Sequence, residues 1–532
     1  MGFRLCQKYI MAVVVSTGLC FFFLFIAFGN EPVLSEANFD GNALRVRSLG
    51  NRLVSTDGNE FRRILKEFTA NTTENDVEYK KNYVKAMMKF AWDNYRNYAW
   101  GANELNTAKK SAHSGSVFGA AHIGASIVDS VDTLYMMGLM DEFTDAREWI
   151  RQSFDLRKSP SSLSVFETNI RFVGGLLSAY ALSNDTMFLM KAREVADLLL
   201  PAFDTPTGIP LALVNMNSGR AANWGWASGG CSILSELGSL ELEFNYLSKV
   251  TGSDLYQKKV KRVREVMDQV EKPDGLYSNY INPKTGRFCL KHVSIGALGD
   301  SYYEYLLKVW LQTDRQDSDA KRMYDQAMAA LESKLLFTSK PSGLKYFADL
   351  RGNRVEHKMD HLACFSAGMY ALQSKYETDL EKKMHALEVG KELGKTCHES
   401  YIRTTTGIGP EAFRFTPDVE AQAVRDGERY YILRPEVVEG WFFLWRATHD
   451  QRYRDWCWAA VQAIDRHCRV EGGFSGVRNV DKVPVVHDDV QQSFILAETL
   501  KYLYLVFEDD SVIDLDNWVF NTEAHPFPVM KS

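Results

Sequence analysis

Seven acidic residues recur along the chain, each at or near the start of an apolar run with helical character. Most of their intervals are 60 to 76 residues, although the first is only 35. Such periodic self-similarity indicates a repeat architecture, in which equivalent residues point into one common space. Converging carboxylates of this kind can break a sugar bond or hold a cation. The seven are Asp132, Glu167, Glu236, Asp300, Asp360, Glu436 and Glu498.

An acid at a helix start also has a simpler explanation. Carboxylates cap the exposed N–H groups of the first turn and meet the positive end of the helix dipole. For any single acid of the series, capping explains the position about as well as catalysis does. Asp132, which stands at the shortest interval, is the one for which capping alone is the favoured interpretation.

The neighbours of three acids favour chemistry over capping. Glu167 and Arg171 are four residues apart on one helical face, where a guanidinium can hold a carboxylate or a sugar hydroxyl. Asp300 and Glu304 have the same spacing, and two adjacent like charges indicate function or a bound partner because they cost stability. A third crowded helix start, in the segment LRPEVVE, holds Arg434, Glu436 and Glu439.

The elements that must position these acids alternate between two kinds of helix. The acid-led helices carry few Lys or Arg and should be covered on most sides, whereas charge-rich helices such as residues 254–272 should present one face to water. Polar turns such as VTGSD end the first kind, and Gly-apolar segments such as PDGLYSNYI predict short hairpins after the second. The sequence therefore predicts an all-α fold of seven inner–outer helix pairs closed into a toroid, with acids and hairpins toward one rim.

The first 28 residues predict a membrane anchor. After Arg4 and Lys8, residues 9–28 carry no charge, which is long enough to span a bilayer. The basic side stays cytoplasmic, so we expect a tail at 1–8, an anchor at 9–28, a polar lumenal stem at 29–78 and a globular domain at 79–532. A cleaved signal peptide is the alternative, since Ala27-Phe28-Gly29 resembles a cleavage site, although the apolar stretch is long for one.

Charge and cysteine content fit this location. The net charge of −6 and the lack of a Lys/Arg-rich run exclude nucleic acid as the expected partner. A lumenal domain can form disulfides, but the pairing cannot be read from the sequence. Asn71-Thr-Thr and Asn184-Asp-Thr are glycosylation sequons. The cysteines beyond the anchor are Cys231, Cys289, Cys364, Cys397, Cys457 and Cys468.

Eight segments follow one another in a specific order: YAWGANEL, IVDSVDTLYMMGL, SVFETNIRFVGGLLSAY, GDSYYEYLLK, MDHLACF, LRPEVVEGWFFLWR, QQSFILAETLKYLYLVF and FNTEAHPFPV. In this order they resemble glycoside hydrolase family 47, the inverting, calcium-dependent class I α-mannosidases. The resemblance covers residues 79 to 528. It implies an (α/α)7 barrel with short hairpins at one end, in agreement with the seven units.

The resemblance implies hydrolysis of terminal α-1,2-linked mannose from high-mannose N-glycans, with one carboxylic acid protonating the leaving oxygen and a second carboxylate activating water. By motif, Glu167 is the general acid, Arg171 orients it, and Asp300 and Glu436 are alternative bases. Residues that would line the pocket, binding hydroxyls or metal-bound waters, are Glu236 (with Glu243 as a competing alignment), Glu304, Asp360, His361, Arg434, Glu439, Phe494, Glu498 and Glu523.

The resemblance also implies a metal site and a disulfide. In FNTEAHP, Thr522 would offer its carbonyl and hydroxyl to Ca²⁺, both hard oxygen donors, with waters held by Glu498 and Glu523. Cys364 and Cys397 would be joined. Cys457 and Cys468, on a charge-rich helix, are expected to be buried small apolar residues.

One position bears on specificity. The endoplasmic-reticulum subfamily typically has Arg two residues before the Asp of DSYYEY, where this chain has Leu298, as in the Golgi subfamily. An Arg would clamp one glycan branch, so Leu298 implies trimming of several mannoses toward the five-mannose form by a Golgi type II membrane protein. Two alternatives stay open: a mannose-binding quality-control protein with little catalysis, and another α/α-toroid glycosidase that tolerates calcium chelation. The oligomeric state is also left open.

Overall fold

The computed structural model describes residues 60–531. The predicted tail, the predicted anchor and residues 29–59 of the predicted stem lie outside the described residues. Among the described residues, no helix has the length and apolar character that a membrane span needs. The remainder of the predicted stem contains a helix, Glu60–Thr69, whose Phe61 and Ile64 are buried. It packs against the following helix, Val77–Tyr98.

An outer ring of helices each buries one face. In Leu255–Gln269, for example, Tyr256, Val260, Val263 and Met267 are buried at helical spacing, while the lysines between them face water. The outer ring consists of Val77–Tyr98, Met140–Ser153, Thr186–Leu199, Leu255–Gln269, Ser318–Leu335, Leu380–Ile402 and Gln451–Cys468.

The inner ring is buried on nearly all sides. Each of its segments contacts the next, and the last contacts the first, so the ring closes. Within residues 60–531 this gives seven inner and seven outer segments, a helix-rich architecture consistent with the predicted α/α barrel. The inner segments are Ala125–Met136; Val165–Glu167 continuing through Thr168–Val173 and Gly174–Ser183; Leu234–Gly238 with Glu241–Thr251; Asp300–Gln312; Leu362–Cys364 with Phe365–Tyr376; Glu436–Thr448; and Ile495–Thr499 with Leu500–Leu505.

Short antiparallel strands lie between the end of each outer helix and the start of the next inner one. All these connections stand at one end of the ring, so the small sheets cover the rim where the inner segments begin. They pair Leu105–Asn106 with Ser111–Ala112; Leu163–Ser164 with Leu213–Val214 and Ala221–Ala222; Ser232–Ile233 with Tyr280–Ile281 and Phe288–Leu290; His292–Val293 with Asp349–Arg351 and Arg354–Glu356; Leu336–Thr338 with Lys345–Phe347; Lys358–Asp360 with Ala412–Arg414; and Arg469–Val470 with Gly473–Phe474.

The C-terminal hairpin occupies a different place. Trp518–Phe520 pairs with Pro526–Pro528, and these strands contact the inner segments Asp300–Gln312 and Gly174–Ser183. The hairpin follows the last inner segment, so it enters the barrel from the end opposite the small sheets. Its tip, residues 521–525, thereby meets the acids that come from the other end.

Candidate active site

The three proposed catalytic acids stand in the first turns of inner segments, yet two of them are not helix caps. The cap before Glu167 is Ser164, whose Oγ accepts the Glu167 N–H at 3.2 Å. The carboxylate of Glu436 is bound by the His361 side chain as well as by its own backbone N–H. Asp300 has a local backbone contact too, accepting the Ser301 N–H at 2.9 Å.

A single guanidinium organises the first cluster. Arg171 Nε donates to Glu167 Oε2 at 2.9 Å, and its Nη1 reaches Asp129 at 3.2 Å, Ser493 at 3.1 Å and Glu523. Burial opposes the charge of Arg171, but the surrounding carboxylates, Glu523 foremost, hold its pKa well above the usual range. Arg171 is therefore fixed by several partners and orients the half-buried Glu167.

The helical segments that carry this cluster are wider than an α-helix. Thr168–Val173 and Ile495–Thr499 are π-helical turns, and they hold Arg171 and Glu498 respectively. Phe494 immediately precedes the second of them, and the Arg171 guanidinium lies 5.7 Å from its ring centroid. Such π-turns are rare and frequently occur at functional sites.

A second cluster surrounds Glu436. His361 Nδ1 is hydrogen-bonded to Glu436 Oε2 at 2.6 Å, and the other ring nitrogen bonds the Tyr401 hydroxyl at 2.8 Å. Arg434 lies 3.8 Å from the second carboxylate oxygen and is held by a two-pronged contact to Glu411 at 2.6 and 2.8 Å. Burial works to raise the pKa of Glu436, but His361 and Arg434 together bring it below its usual value.

Asp300 has the opposite electrostatic environment. Burial, followed by the negative charges of Asp360, Glu304 and Glu436, raises its pKa well above the usual range. The expected repulsion between the Asp300 and Glu304 carboxylates is reduced, because the buried Lys308 pairs with Glu304 one turn further along the helix. The pKa values of the two candidate bases, Asp300 and Glu436, are thus shifted in opposite directions. Opposite shifts of this kind assign different roles to paired carboxyls.

Thr522 stands at the hairpin tip among several buried carboxyls. Burial and the charges of Glu523, Glu436 and Glu439 raise the pKa of Glu498 well above its usual range. Within residues 60–531, neither the hydroxyl nor the carbonyl of Thr522 is hydrogen-bonded to another residue. An excess of negative charge around free hard oxygens fits a cation such as Ca²⁺.

Among the described residues, several side chains do not come together to bind a metal ion directly. No group of three or more His, Cys, Asp or Glu among the described residues is arranged to hold a metal ion. A cation here would therefore rely on Thr522 and on waters held by the acids.

Glu236 and Glu243, the two alternatives for one pocket position, lie in different environments. Glu236 accepts the Trp224 indole N–H at 2.8 Å, and burial, reinforced by the charge of Glu167, raises its pKa to about 8. Glu243 is fully buried and accepts hydrogen bonds from Tyr305 and from Asn521 of the hairpin, both at 2.8 Å. Glu236 therefore lies on the helix Leu234–Gly238 that packs against Val165–Glu167, while Glu243 holds the hairpin.

Asp360 lies close to a helix start, as the sequence predicts. It ends the strand Lys358–Asp360 two residues before the helical turn Leu362–Cys364, and its carboxylate accepts the N–H groups of Ala363 at 3.0 Å and Ala297 at 3.3 Å. A Cβ on Gly296 would lie 2.1 Å from Asp360 Oδ1, so only glycine allows this approach. Asp360 thus fixes the loop that carries Leu298, whose φ is 76°.

The sequence matches glycosyl hydrolase family 47 over residues 87–529. The chain belongs to this family. A mannosyl-oligosaccharide alpha-1,2-mannosidase IA of Drosophila melanogaster is 57% identical over 459 residues, covering 86% of this chain and 68% of the relative. The human mannosyl-oligosaccharide 1,2-alpha-mannosidases IB and IC are 54% and 48% identical, covering 86% and 95% of this chain and 71% and 77% of their own lengths.

A solved structure agrees with the family. The alpha-1,2-mannosidase from Trichoderma reesei superposes with a TM-score of 0.76 at 28% identity, covering 85% of this chain and 99% of that one. The family 47 chain is therefore a glycosidase, and family 47 enzymes are in general metal-dependent.

The structure contradicts the capping interpretation of Asp132. It is the eighth residue of Ala125–Met136, fully buried, so the capping interpretation is wrong. Its carboxylate accepts from Lys501 at 2.9 and 3.1 Å, from Ser178 at 2.8 Å, and bonds His525 Nδ1 at 2.8 Å. The helix containing Asp132 begins about two turns before this residue, so Asp132 does not mark a helix start.

Several residues of the site were missed from the sequence. Asp129, one turn before Asp132, contacts both Arg171 and His525 Nε2, the latter at 3.2 Å. Burial raises the pKa of Glu104, beside Arg171, to about 7. Asp129 and Glu104 could have been considered as site residues, because they lie in the quoted segments IVDSVD and YAWGANEL. Others of this kind are Trp224, Lys308, Tyr401, Glu411, Ser493 and Lys501.

Two disulfides join distant segments. Cys364 is bonded to Cys397, the pairing that the resemblance implied, and Cys231 is bonded to Cys289, which the sequence left open. Cys457 and Cys468 are free and buried, as expected. The sequon residues Asn71 and Asn184 are both exposed, the latter with a φ of 58° at a helix end.

Proposed function

We propose that the protein is an inverting α-1,2-mannosidase that removes terminal mannose from high-mannose N-glycans. Family membership and the names of relatives 48% to 57% identical support this substrate class. The observation that carries the proposal is the pair of oriented carboxylates, Glu167 on Arg171 and Glu436 on His361, on inner segments of one barrel. The binding-protein alternative is not favoured, since all three candidate catalytic carboxyls are present.

The roles follow from the environments. Glu167 protonates the leaving oxygen, and Arg171 holds it in place. A base must be ionised, so the lowered pKa of Glu436 favours it over Asp300 as the group that takes a proton from the attacking water. Asp300, whose pKa is raised by burial and by neighbouring acids, is better suited to donate a hydrogen bond to a sugar hydroxyl.

Replacing the general acid tests the catalytic assignment. Glu167→Gln keeps the size of the side chain but cannot deliver a proton, so mannose release should fall by about 100-fold or more. Binding of a nine-mannose glycan, measured by calorimetry, should be retained. Glu148→Gln, on an outer helix and exposed, is the matched control and should leave release unchanged. Undiminished release by Glu167→Gln would refute the assignment.

A Ca²⁺ ion at Thr522 is the metal that the site fits. Thr522 would supply two oxygens, and Glu498 and Glu523 would hold its waters. When bound, the ion would coordinate sugar hydroxyls. We expect EDTA to abolish activity and Ca²⁺ to restore it. Calcium should also raise the unfolding temperature of the wild type, and Thr522→Val should reduce this shift while Thr522→Ser preserves it.

Location and product pattern extend the proposal. We propose a single-pass type II Golgi membrane protein anchored by residues 9–28, tested by comparing membrane fractionation of the full chain with a chain beginning at residue 29. Leu298 leaves room for several branches, so a nine-mannose glycan should be trimmed toward the five-mannose form. A stop after one mannose would contradict the argument from Leu298.

A further inference from the structure

An exposed tryptophan extends outward from the candidate active site. Trp226 is 43% exposed and stacks on Trp224, with ring centroids 6.1 Å apart and planes inclined by 27°. Trp224 in turn donates its indole N–H to Glu236, whose helix Leu234–Gly238 packs against the segment Val165–Glu167. The two indoles therefore form a continuous aromatic path from the general-acid side of the site to solvent.

The segment that carries the two indoles is held firmly. Cys231, five residues after Trp226, is bonded to Cys289 on a neighbouring strand. The Asn223 side chain donates to the Gly230 carbonyl at 2.7 Å and accepts the Ala212 N–H at 2.8 Å. An aromatic surface fixed before binding loses little conformational entropy when a ligand covers it.

Leu298 belongs to the same surface. Trp224 and Leu298 both pack against one small apolar cluster, formed by Ala227, Cys231, Ile233 and Tyr280. The residue expected to govern branch selection and the stacked indoles are thus neighbours.

We propose that Trp226, stacked on Trp224, forms a subsite for a pyranose ring of the same glycan other than the mannose being removed. This inference rests on the proposed function. A pyranose presents C–H groups on one face, and an aromatic ring offers those groups a flat, polarisable and partly negative surface. Trp226 would thereby contribute to binding of the branched oligosaccharide but not to cleavage of the terminal linkage.

Paired substrates test this subsite. Trp226→Ala should lower kcat/KM for a nine-mannose glycan by about threefold to tenfold, mainly through KM, because aromatic contacts contribute on that scale. Its kcat/KM for an α-1,2-linked mannose disaccharide should equal that of the wild type. Trp226→Phe should recover most of the loss. Leu290→Ala, on the adjacent strand and 50% exposed, is the matched control and should change neither substrate.

The outcomes separate this inference from the proposed function. An equal loss on both substrates, or no loss on the glycan, would overturn the subsite. Failure of the wild type to cleave either substrate would instead refute the mannosidase proposal. Hydroxyl-radical labelling of Glu167→Gln, read by mass spectrometry, needs no change at Trp226. Bound nine-mannose glycan should protect Trp226 and leave Leu290 labelled, whereas unprotected Trp226 would overturn the subsite.

Discussion

Asp132 is the carboxylate that binds both Lys501 and His525 in the barrel interior. It is fully buried with Lys501 and His525, and Lys501 also donates to the Ala524 carbonyl of the hairpin tip. Asp132→Asn keeps the shape but leaves Lys501 without its counter-charge. Breaking a buried ion pair from one side costs about 3–5 kcal/mol, whereas loss of a helix cap costs about 1 kcal/mol. The size of the effect therefore distinguishes the two interpretations of this residue.

Thermal unfolding at a fixed scan rate measures the difference. At about 2.1 cal/mol/K per residue, roughly 470 ordered residues give an unfolding entropy of about 1 kcal/mol/K, so Asp132→Asn should lower the midpoint by about 3–5 °C. Asp254→Asn removes an acid from the exposed pair with Lys258 and should shift it by less than about 1 °C. A shift for Asp132→Asn no larger than that of this control would refute the reasoning.

Two further variants test a pKa and a disulfide. Because the pKa of Glu236 is raised to about 8, the folded protein keeps a proton that the unfolded chain releases above pH ~4.3, so this group lowers stability as pH rises from there to 8. Glu236→Gln should therefore weaken the fall of the unfolding midpoint between pH 5 and 8, and an unchanged slope would contradict the shift. Replacing Cys364 and Cys397 by Ala opens a 33-residue loop and should cost about 2–4 kcal/mol, seen as a lower midpoint; a midpoint equal to the wild type's would show that the bond adds no stability.

The ring of helices was predictable because it depends on how apolar and charged residues are spaced along each helix. A helix such as Leu255–Gln269 shows its buried face in the spacing of its apolar residues, and an inner helix such as Glu436–Thr448 shows its enclosure by the scarcity of charge. The repeat of these two patterns then fixes the order of the barrel. The helix Glu60–Thr69 was not predicted, because only Phe61 and Ile64 are buried in an otherwise polar helix.

Partners distant in sequence were not predictable. Asp132 looked like a cap because its partners, Lys501 and His525, are 369 and 393 positions away and come from the last inner helix and the hairpin. Spacing along one helix shows which face a residue occupies, but not which element meets that face. The pairing of Cys231 with Cys289 escaped for the same reason.

The C-terminal hairpin makes contacts with distant residues that the sequence pattern could not predict. The hairpin tip contacts two parts of the site. His525 lies between Asp129 and Asp132, and Glu523 binds Arg171. Asp129 also contacts Arg171, so the guanidinium that orients Glu167 is positioned by a helix and by the hairpin together. The segment NTEAHP, which reads as an ordinary turn, therefore couples the proposed cation site at Thr522 to the general acid. A substitution that loosens the hairpin should disturb both at once.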